Sequence, residues 1–243
     1  ASNPSITEEV SKILVSDNHS DVRRNLASNP SITEEVSKIL VSDNSSDVRR
    51  NVASNPKISK EIMEDLMKED YSYKTDDDSY SERIVLPVKN GLAENPNLPE
   101  EFSNILAKKY NVRISIRLAK RENISDKVAE ILIGSECFLG NSDYKDVLMA
   151  LVRNQDISEK TMKLLIEQGD YKVRAQLAKR EDLSNEIMDI LSRDSDLDVK
   201  KELALNPIIS ESVVKRLQEN SYYIKNNVEK NIAYKRMQKE WID

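Results

Sequence analysis

The first 52 residues consist of one 26-residue segment written twice. The two copies differ only at His19/Ser45 and at Leu26/Val52. A fixed period of this length is typical of repeat proteins, in which each short unit buries its apolar face against its neighbours. The chain is therefore predicted to be an array of repeats rather than a domain with a single closed core.

The same pattern continues, with two insertions, as far as residue 228. Residues 71–84 form an acidic, tyrosine-bearing insertion and residues 134–143 a more apolar one, and both are interpreted as exposed loops. Each insertion can be interpreted as a binding loop or as a tolerated surface insertion, and the sequence does not decide between the two. The predicted repeats are 1–26, 27–52, 53–92, 93–118, 119–151, 152–177, 178–203 and 204–228, followed by a capping helix at 229–243.

Several positions of the repeat hold the same kind of apolar residue in every copy. The fourteenth position is always leucine, the sixth is isoleucine or leucine, and the twenty-second is always β-branched. The first position is alanine in seven repeats and Val152 in the other. These positions are predicted to form the core, with the small first residue allowing neighbouring repeats to approach closely.

Each repeat contains the signals of two short helices. The first helix follows a serine or threonine, the residue type that caps helix N-termini, and then one or two glutamates. Pro99 takes the cap position in the fourth repeat. The second helix, with an apolar pair such as Val22 and Leu26, has room for about two turns before an Asn-Pro stop. The predicted caps are Thr7, Thr33, Ser59, Ser125, Ser158, Ser184 and Ser210.

The run Ala-x-Asn-Pro-x-Ile-Thr/Ser-x-Glu-Val-x-x-Ile-Leu-x-x-Asp…Asp-Val-Arg resembles the leucine-rich repeat variant family and, more loosely, HEAT-like α-solenoids. The resemblance covers residues 1–228. It implies an all-α fold, a right-handed α–α superhelix of about eight 26-residue repeats without a β-sheet. Glu122, Gln155 and Glu181 replace the expected proline, which loosens the match there. The cysteine-rich iron–sulfur segment of one family member has no counterpart here, so no cofactor is predicted.

The sequence contains no combination of residues that indicates catalysis. His19 is the only histidine, and the second copy of the repeat has Ser45 in its place. Cys137 is the only cysteine and has no histidine available as a base. Asp76, Asp77 and Asp78 lack the spacing of a calcium loop, and four glycines cannot supply a phosphate loop. We therefore predict a protein that is not an enzyme, with no catalytic residue, metal or cofactor.

The composition limits which cellular compartment and which class of partner are predicted. A net charge of −6 and 5% aromatic residues disfavour nucleic-acid binding, although an array like the helical-repeat DNA glycosylases remains an alternative. No apolar run approaches 18 residues, and one cysteine favours a reducing compartment. A cytoplasmic monomer without membrane contact is predicted. The in-frame start at Ala1 also allows a third interpretation, a structural spacer from a longer repeat protein.

A partner-binding hypothesis comes from the two positions that follow the buried β-branched residue of each second helix. The first is basic in six of eight repeats, and both become apolar in the middle of the chain. If the second helices line a concave face, that face would grip an extended acidic and hydrophobic peptide or protein. In the competing interpretation, the basic residues of the first position pair with Asp21, Asp47 and Asp198, and the insertion of the fifth repeat covers the central apolar residues. The candidates are Arg23, Arg24, Arg49, Arg50, Ile116, Leu148, Met149, Arg174, Lys200 and Lys201.

Overall fold

A computed structural model describes the backbone of residues 6–68, 78–108, 111–134 and 142–218. Within those ranges the regular secondary structure comprises fifteen α-helices and no strand, which confirms the all-α prediction. The chain divides into two compact units, Ala1–Glu122 and Asn123–Asp243. The division falls inside the fifth predicted repeat, where Asn123 adopts a left-handed backbone conformation (φ 54°) that asparagine tolerates better than most residues. The capping helix predicted at 229–243 lies outside the described residues.

The first unit contains eight of these helices, and they alternate between the two types predicted from the repeat. The helices of the second type, α2, α4, α6 and α8, pack on one another in succession, and each also contacts the first-type helix that precedes it. The described helices of this unit are α1 Glu8–Leu14, α2 Ser20–Ala27, α3 Glu34–Leu40, α4 Ser46–Ser54, α5 Lys60–Lys68, α6 Asp78–Glu94, α7 Glu100–Lys108 and α8 Val112–Ala119.

The second unit has the same alternation. Helices α9, α11, α13 and α15 pack in one succession and α10, α12 and α14 in another. Consecutive helices contact each other between the two sets, so each helix pair is covered by the next pair along the chain. The described helices here are α9 Asp126–Ile133, α10 Ser142–Arg153, α11 Glu159–Gln168, α12 Tyr171–Ala178, α13 Asn185–Ser192, α14 Leu197–Leu205 and α15 Glu211–Gln218.

The core is built from the predicted apolar positions. The fourteenth-position leucines from Leu40 to Leu217 are at most 1% exposed, and the β-branched residues from Val48 to Val199 are at most 3% exposed. In the first repeat, Leu14 and Val22 are only half-buried. The small first residue of each repeat is buried from Ala27 onward. Burial of these aliphatic side chains is the main favourable contribution to folding.

The predicted helix caps are present at six of the seven serine and threonine positions. In each case the side-chain oxygen accepts a hydrogen bond from the backbone N–H three residues later, at 3.1–3.4 Å. Ser210 differs, because its hydroxyl lies 3.1 Å from the hydroxyl of Ser212 instead. At Pro99, the backbone carbonyl accepts from the N–H groups of Phe102 and Ser103, and α7 starts at the next residue.

The interpretation of both insertions as loops is wrong in part. Residues 78–84 are the first turns of α6, which continues to Glu94 with Pro87 inside the helix. Residues 142 and 143 begin α10. Each insertion therefore lengthens a second-type helix at its N-terminus. The remaining residues of the two insertions, Cys137 among them, lie outside the described ranges.

At Gly91, helix α6 packs closely against α4. A Cβ atom at this position would lie 2.3 Å from the carbonyl oxygen of Arg50 and 2.9 Å from the Cβ of Ala53. The Gly91→Ala substitution is therefore expected to cost about 1–3 kcal/mol of unfolding free energy, because the two backbones must move apart. Gly134→Ala is the matched control, since among the described residues its Cβ would meet one atom, the Glu130 carbonyl oxygen, at 3.1 Å. Equal denaturation midpoints for the two variants would contradict this prediction.

Candidate interaction surface

Three of the basic residues proposed to face a partner, Arg23, Arg49 and Arg174, form hydrogen bonds within the protein. The Arg23 guanidinium forms two hydrogen bonds with the carboxylate of Asp43 in the following repeat, at 2.6 and 3.0 Å. Its third nitrogen donates to the carbonyl of Asp17 at 2.5 Å, at the end of the first helix of its own repeat. The Asp43 side chain is 6% exposed, so this pair joins two repeats below the surface.

The same arrangement recurs in the second unit. Arg174 binds the carboxylate of Asp194 through two nitrogens, at 2.6 and 3.1 Å, and donates to the carbonyl of Gly169 at 2.9 Å. The Asp194 carboxylate also accepts the backbone N–H of Asp196 at 2.8 Å. Burial alone raises the pKa of Asp194, but the bonds from Arg174 and Asp196 outweigh it and hold the pKa below its ordinary value.

Arg23 and Arg174 occupy the position that directly follows the β-branched residue of a second helix. Two further residues of this column bind backbone carbonyls. Arg49 donates to the carbonyl of Asp43 at 2.6 Å and is 9% exposed. Lys89 is 2% exposed, and its ammonium group donates to the carbonyls of Leu66 and Met67 at 2.7 and 2.6 Å. Those carbonyls belong to the last turn of α5, which has no N–H donor for them within the helix. The cationic column therefore stabilises helix C-termini.

The column changes its chemistry at the two repeats in the middle of the sequence. The Ser115 side chain is fully buried, and its hydroxyl has no hydrogen-bond partner among the described residues. Leu148 is 3% exposed, so it lies in the core of its helix pair rather than at the surface. In this repeat the hydroxyl of Tyr144 donates to the Ile133 carbonyl and so replaces the missing cation at the end of α9.

The next position along the second helices carries exposed ion pairs. Arg24 pairs with Asp21 at 3.1 Å and Lys201 with Asp198 at 2.9 Å. Arg50 binds Glu94 at 3.2 Å, and Glu94 also binds the Arg117 guanidinium at 2.6 Å. Lys200 is half-buried. Because surface pairs of this kind are weak, their main effect is to balance charge locally.

The two apolar residues at the centre of the predicted groove are neither fully buried nor fully exposed. Ile116 is half-buried in the first unit, and Met149 is half-buried in the second unit beside the buried Leu148. The sequence alone did not separate these positions, because an apolar residue next to a core residue can face either the core or the solvent. A partner-binding role for Ile116 and Met149 stays a prediction.

The asparagine at the third position of the repeat has a role beyond the Asn-Pro stop that the sequence indicates. Asn55 is 3% exposed, and its amide nitrogen donates to the carbonyls of Ala27 and Asn29 in the preceding repeat, at 2.9 and 3.0 Å. Its amide oxygen accepts the N–H of Lys57 at 3.0 Å. Asn95 and Asn206 make the same three contacts in their own repeats.

Arginine replaces this asparagine in the fifth and seventh repeats. Arg180 is 7% exposed and donates from one nitrogen to the carbonyls of Val152 and Asn154, at 2.7 and 2.5 Å. The carboxylate of Asp182 binds the other side of the guanidinium. Arg121 binds the carbonyl of Asn95 in the same way, and burial lowers its pKa from the ordinary value. In the sequence, the restriction of this position to asparagine and arginine is the feature that indicates these contacts between repeats.

Exposed aliphatic side chains concentrate at the thirteenth position of the repeat, a column that the sequence interpretation did not single out. This position lies on the first helix of each pair, beside the buried leucine at position fourteen. Nine large apolar side chains are exposed in the described residues, and four of them belong to this one column. The four are Ile13 at 72%, Ile39 at 55%, Ile105 at 43% and Ile190 at 37%.

One member of the column lines a cleft in the second unit. The cleft lies between the C-terminal ends of α11 and α13 and has a volume of about 520 Å³. Its apolar walls are Ile166 and Ile190, and the ion pair of Arg174 and Asp194 lies beside them. The complete set of lining residues is Ile166, Arg174, Asp189, Ile190, Arg193, Asp194 and Ser195.

The rim of this cleft carries more than the buried ion pair. The carboxylate of Asp189 binds Arg193 at 2.9 Å and also binds Arg216, which reaches over from α15. These guanidinium groups lower the pKa of Asp189 from its ordinary value, with the hydrogen bond from Arg216 as the main cause. Asp189 is therefore ionised at neutral pH, and the Arg193 side chain is 65% exposed.

Comparisons with known proteins do not identify a relative. No family model, no curated protein and no solved structure matches the chain significantly. Within the described ranges, no three His, Cys, Asp or Glu side chains are grouped so that they could hold a metal ion. His19 precedes α2 without a side-chain capping bond. Among the described helices, none is long and apolar enough to cross a membrane.

Proposed function

We propose that this chain is a non-enzymatic scaffold that binds a protein or peptide partner. In this proposal its helix pairs form a right-handed superhelix of about eight repeats, similar to the leucine-rich repeat variant family. The observation that supports binding is the exposed aliphatic column at the thirteenth position, from Ile13 to Ile190. Exposed apolar side chains at one position of several repeats supply contact area that burial against another protein would remove from water.

The internal bonds of the basic residues shift the proposed binding surface. Arg23, Arg49 and Arg174 are engaged by carboxylates and carbonyls of the same chain, so using them for a partner would disrupt repeat packing. The exposed isoleucines at the thirteenth position have no such structural role, because the leucine beside each of them fills the core. We therefore assign partner binding to the first helices rather than to the column of arginines on the second helices.

The test is capture of partner proteins from a cell extract by the full chain. In a second capture experiment, the chain carries aspartate at Ile39, Ile105 and Ile190. The amount of each specifically captured protein is expected to fall at least about tenfold. Aspartate at these exposed sites removes apolar contact area and adds charge without changing the core. Circular dichroism and thermal unfolding of the variant establish that it remains folded.

A matched control carries aspartate at three exposed polar positions instead, namely Asn25, Gln155 and Asn185. The control is expected to capture the same proteins as the wild-type chain. Equal capture by the isoleucine variant would overturn the proposal. Capture that disappears after nuclease treatment, or salt-sensitive binding of labelled duplex DNA by the chain, would instead favour a nucleic-acid-binding array.

A further inference from the structure

We infer that the first-type helices of the first unit, α1, α3, α5 and α7, bind a basic segment of a partner protein that also carries aliphatic side chains. This inference rests on the proposed function, because it names the chemistry of the partner for one part of the isoleucine column. Two columns of exposed side chains lie on these helices. One is aliphatic and the other is acidic, and each selects one property of the partner segment.

The aliphatic column is formed by Ile13, Ile39 and Ile105 at the thirteenth position of the repeat. These residues are 72%, 55% and 43% exposed, whereas the leucines that follow Ile39 and Ile105 are at most 1% exposed. Asp65 takes the thirteenth position in the third repeat and is exposed as well. Contact with aliphatic side chains of a partner would remove the apolar area of the isoleucines from water.

The acidic column lies one helical turn before the aliphatic one, at the ninth position of each repeat. Residues four apart lie on the same face of a helix, so Glu9 accompanies Ile13 and Glu35 accompanies Ile39. The four exposed glutamates of this column are Glu9, Glu35, Glu61 and Glu101. A partner segment with a basic side chain near an aliphatic one therefore meets a carboxylate and an isoleucine on the same helix face.

The negative charge on these four helices exceeds the positive charge. They contain nine carboxylate side chains and five lysines, which leaves a net charge of −4 at neutral pH. Among the described residues, Glu9, Glu35 and Glu61 form no ion pair. Lys12 and Lys38 act on Glu35 and Glu61 only at longer range, since each lysine is hydrogen-bonded to a glutamate of its own helix. The carboxylates that do pair with lysines of these helices are Glu8, Glu34, Asp65 and Glu101.

The second-type helices of this unit carry the opposite charge where their side chains are described. Helices α2, α4 and α8 together contain six arginines and two aspartates. The negative charge therefore concentrates on the helices that present the exposed isoleucines. A basic segment is attracted to these helices, whereas an acidic peptide or a nucleic acid is repelled by them. This charge distribution is the reason for assigning a basic occupant to the aliphatic column.

Selection of random linear peptides displayed on phage against the full-length chain tests the inference. The enriched peptides are expected to contain an excess of Lys and Arg together with Leu, Ile or Val. A fluorescein-labelled copy of an enriched peptide then measures affinity by anisotropy. A variant with Glu9→Gln, Glu35→Gln and Glu61→Gln is expected to bind it about three- to thirtyfold more weakly and with less dependence on salt. A variant with Ile13→Ser and Ile39→Ser is expected to bind it at least about tenfold more weakly, because apolar contacts are lost without a change of charge.

The matched control carries glutamine at three exposed glutamates of the second unit, Glu167, Glu181 and Glu211. It removes the same charge from the whole chain and is expected to bind the peptide as the wild-type chain does. Thermal unfolding establishes that all three variants remain folded. The inference is overturned if the selection enriches no peptide or only acidic ones, if either variant of the first unit binds unchanged, or if the control weakens binding equally. Capture of proteins that depends on the isoleucine column would then still support the scaffold, so the two proposals fail separately.

Discussion

Replacement of Asn55 by alanine is expected to lower the free energy of unfolding by about 2–4 kcal/mol, although the side chain is small and polar. The substitution removes three hydrogen bonds, two to the carbonyls of Ala27 and Asn29 and one from the N–H of Lys57. Because Asn55 is 3% exposed, water cannot freely replace the lost partners. The cost is therefore close to that of leaving buried polar groups unsatisfied.

Asn55→Asp is expected to be more damaging than alanine. The aspartate has nearly the same shape, but it places a carboxylate oxygen where the amide nitrogen donates to two carbonyl oxygens. Repulsion then replaces attraction in a buried site. Asn97→Asp is the matched control, since the exposed Asn97 makes a single side-chain bond, to the carbonyl of Pro56 at 2.8 Å. It is expected to cost less than about 1 kcal/mol.

Hydrogen–deuterium exchange gives the most direct measurement of this effect, because repeat arrays can unfold locally. Amides of repeats two and three that flank Asn55 are expected to exchange faster in the Asn55 variants, with smaller changes in the second unit. Chemical denaturation supplies the total change in stability. Protection of these amides at the wild-type level in both variants would show that the asparagine contacts contribute little to packing between the repeats.

The sequence was sufficient to predict the local structure of the repeat. The caps at six of the seven predicted positions, the short second helices of the repeats without insertions and the leucine at position fourteen depend on residues close together in the chain. Helix capping and apolar periodicity act over one or two turns, so a single repeat contains the necessary information. Repetition then shows which features recur and which belong to one copy.

Contacts between repeats were harder to predict. The partner of Arg23 is Asp43, twenty residues ahead in the next repeat, whereas the sequence interpretation considered only the nearby Asp21. The amide nitrogen of Asn55 donates hydrogen bonds to carbonyls of the repeat before it. Its own repeat does not reveal these bonds, so the sequence indicates only a helix stop at this residue. The exposure of Ile190 also depends on how α13 packs beside α11, which helical periodicity alone does not specify.

The ion pair between Arg174 and Asp194 provides the second large expected effect. Asp194→Asn is expected to cost about 2–3 kcal/mol at neutral pH, because it removes the charge that balances a guanidinium only 19% exposed. The cost stays below that of a fully buried pair since Arg174 retains some contact with water. Asp198→Asn is the matched control: the pair of Asp198 with Lys201 is exposed, and its loss is expected to cost less than about 0.5 kcal/mol.

The cost of Asp194→Asn should also disappear on acidification, which separates a charge effect from a change of shape. Arg174 keeps the pKa of folded Asp194 below its ordinary value of about 3.9, so the unfolded chain takes up the proton first as the pH falls. The stabilisation is therefore complete above that value and is lost as the pH falls through the folded pKa. Unfolding free energies of wild type and variant should differ by a constant amount above about pH 5 and converge below about pH 4. A difference that persists unchanged at pH 2.5 would mean that packing of the side chain, and not its charge, stabilises this contact between repeats.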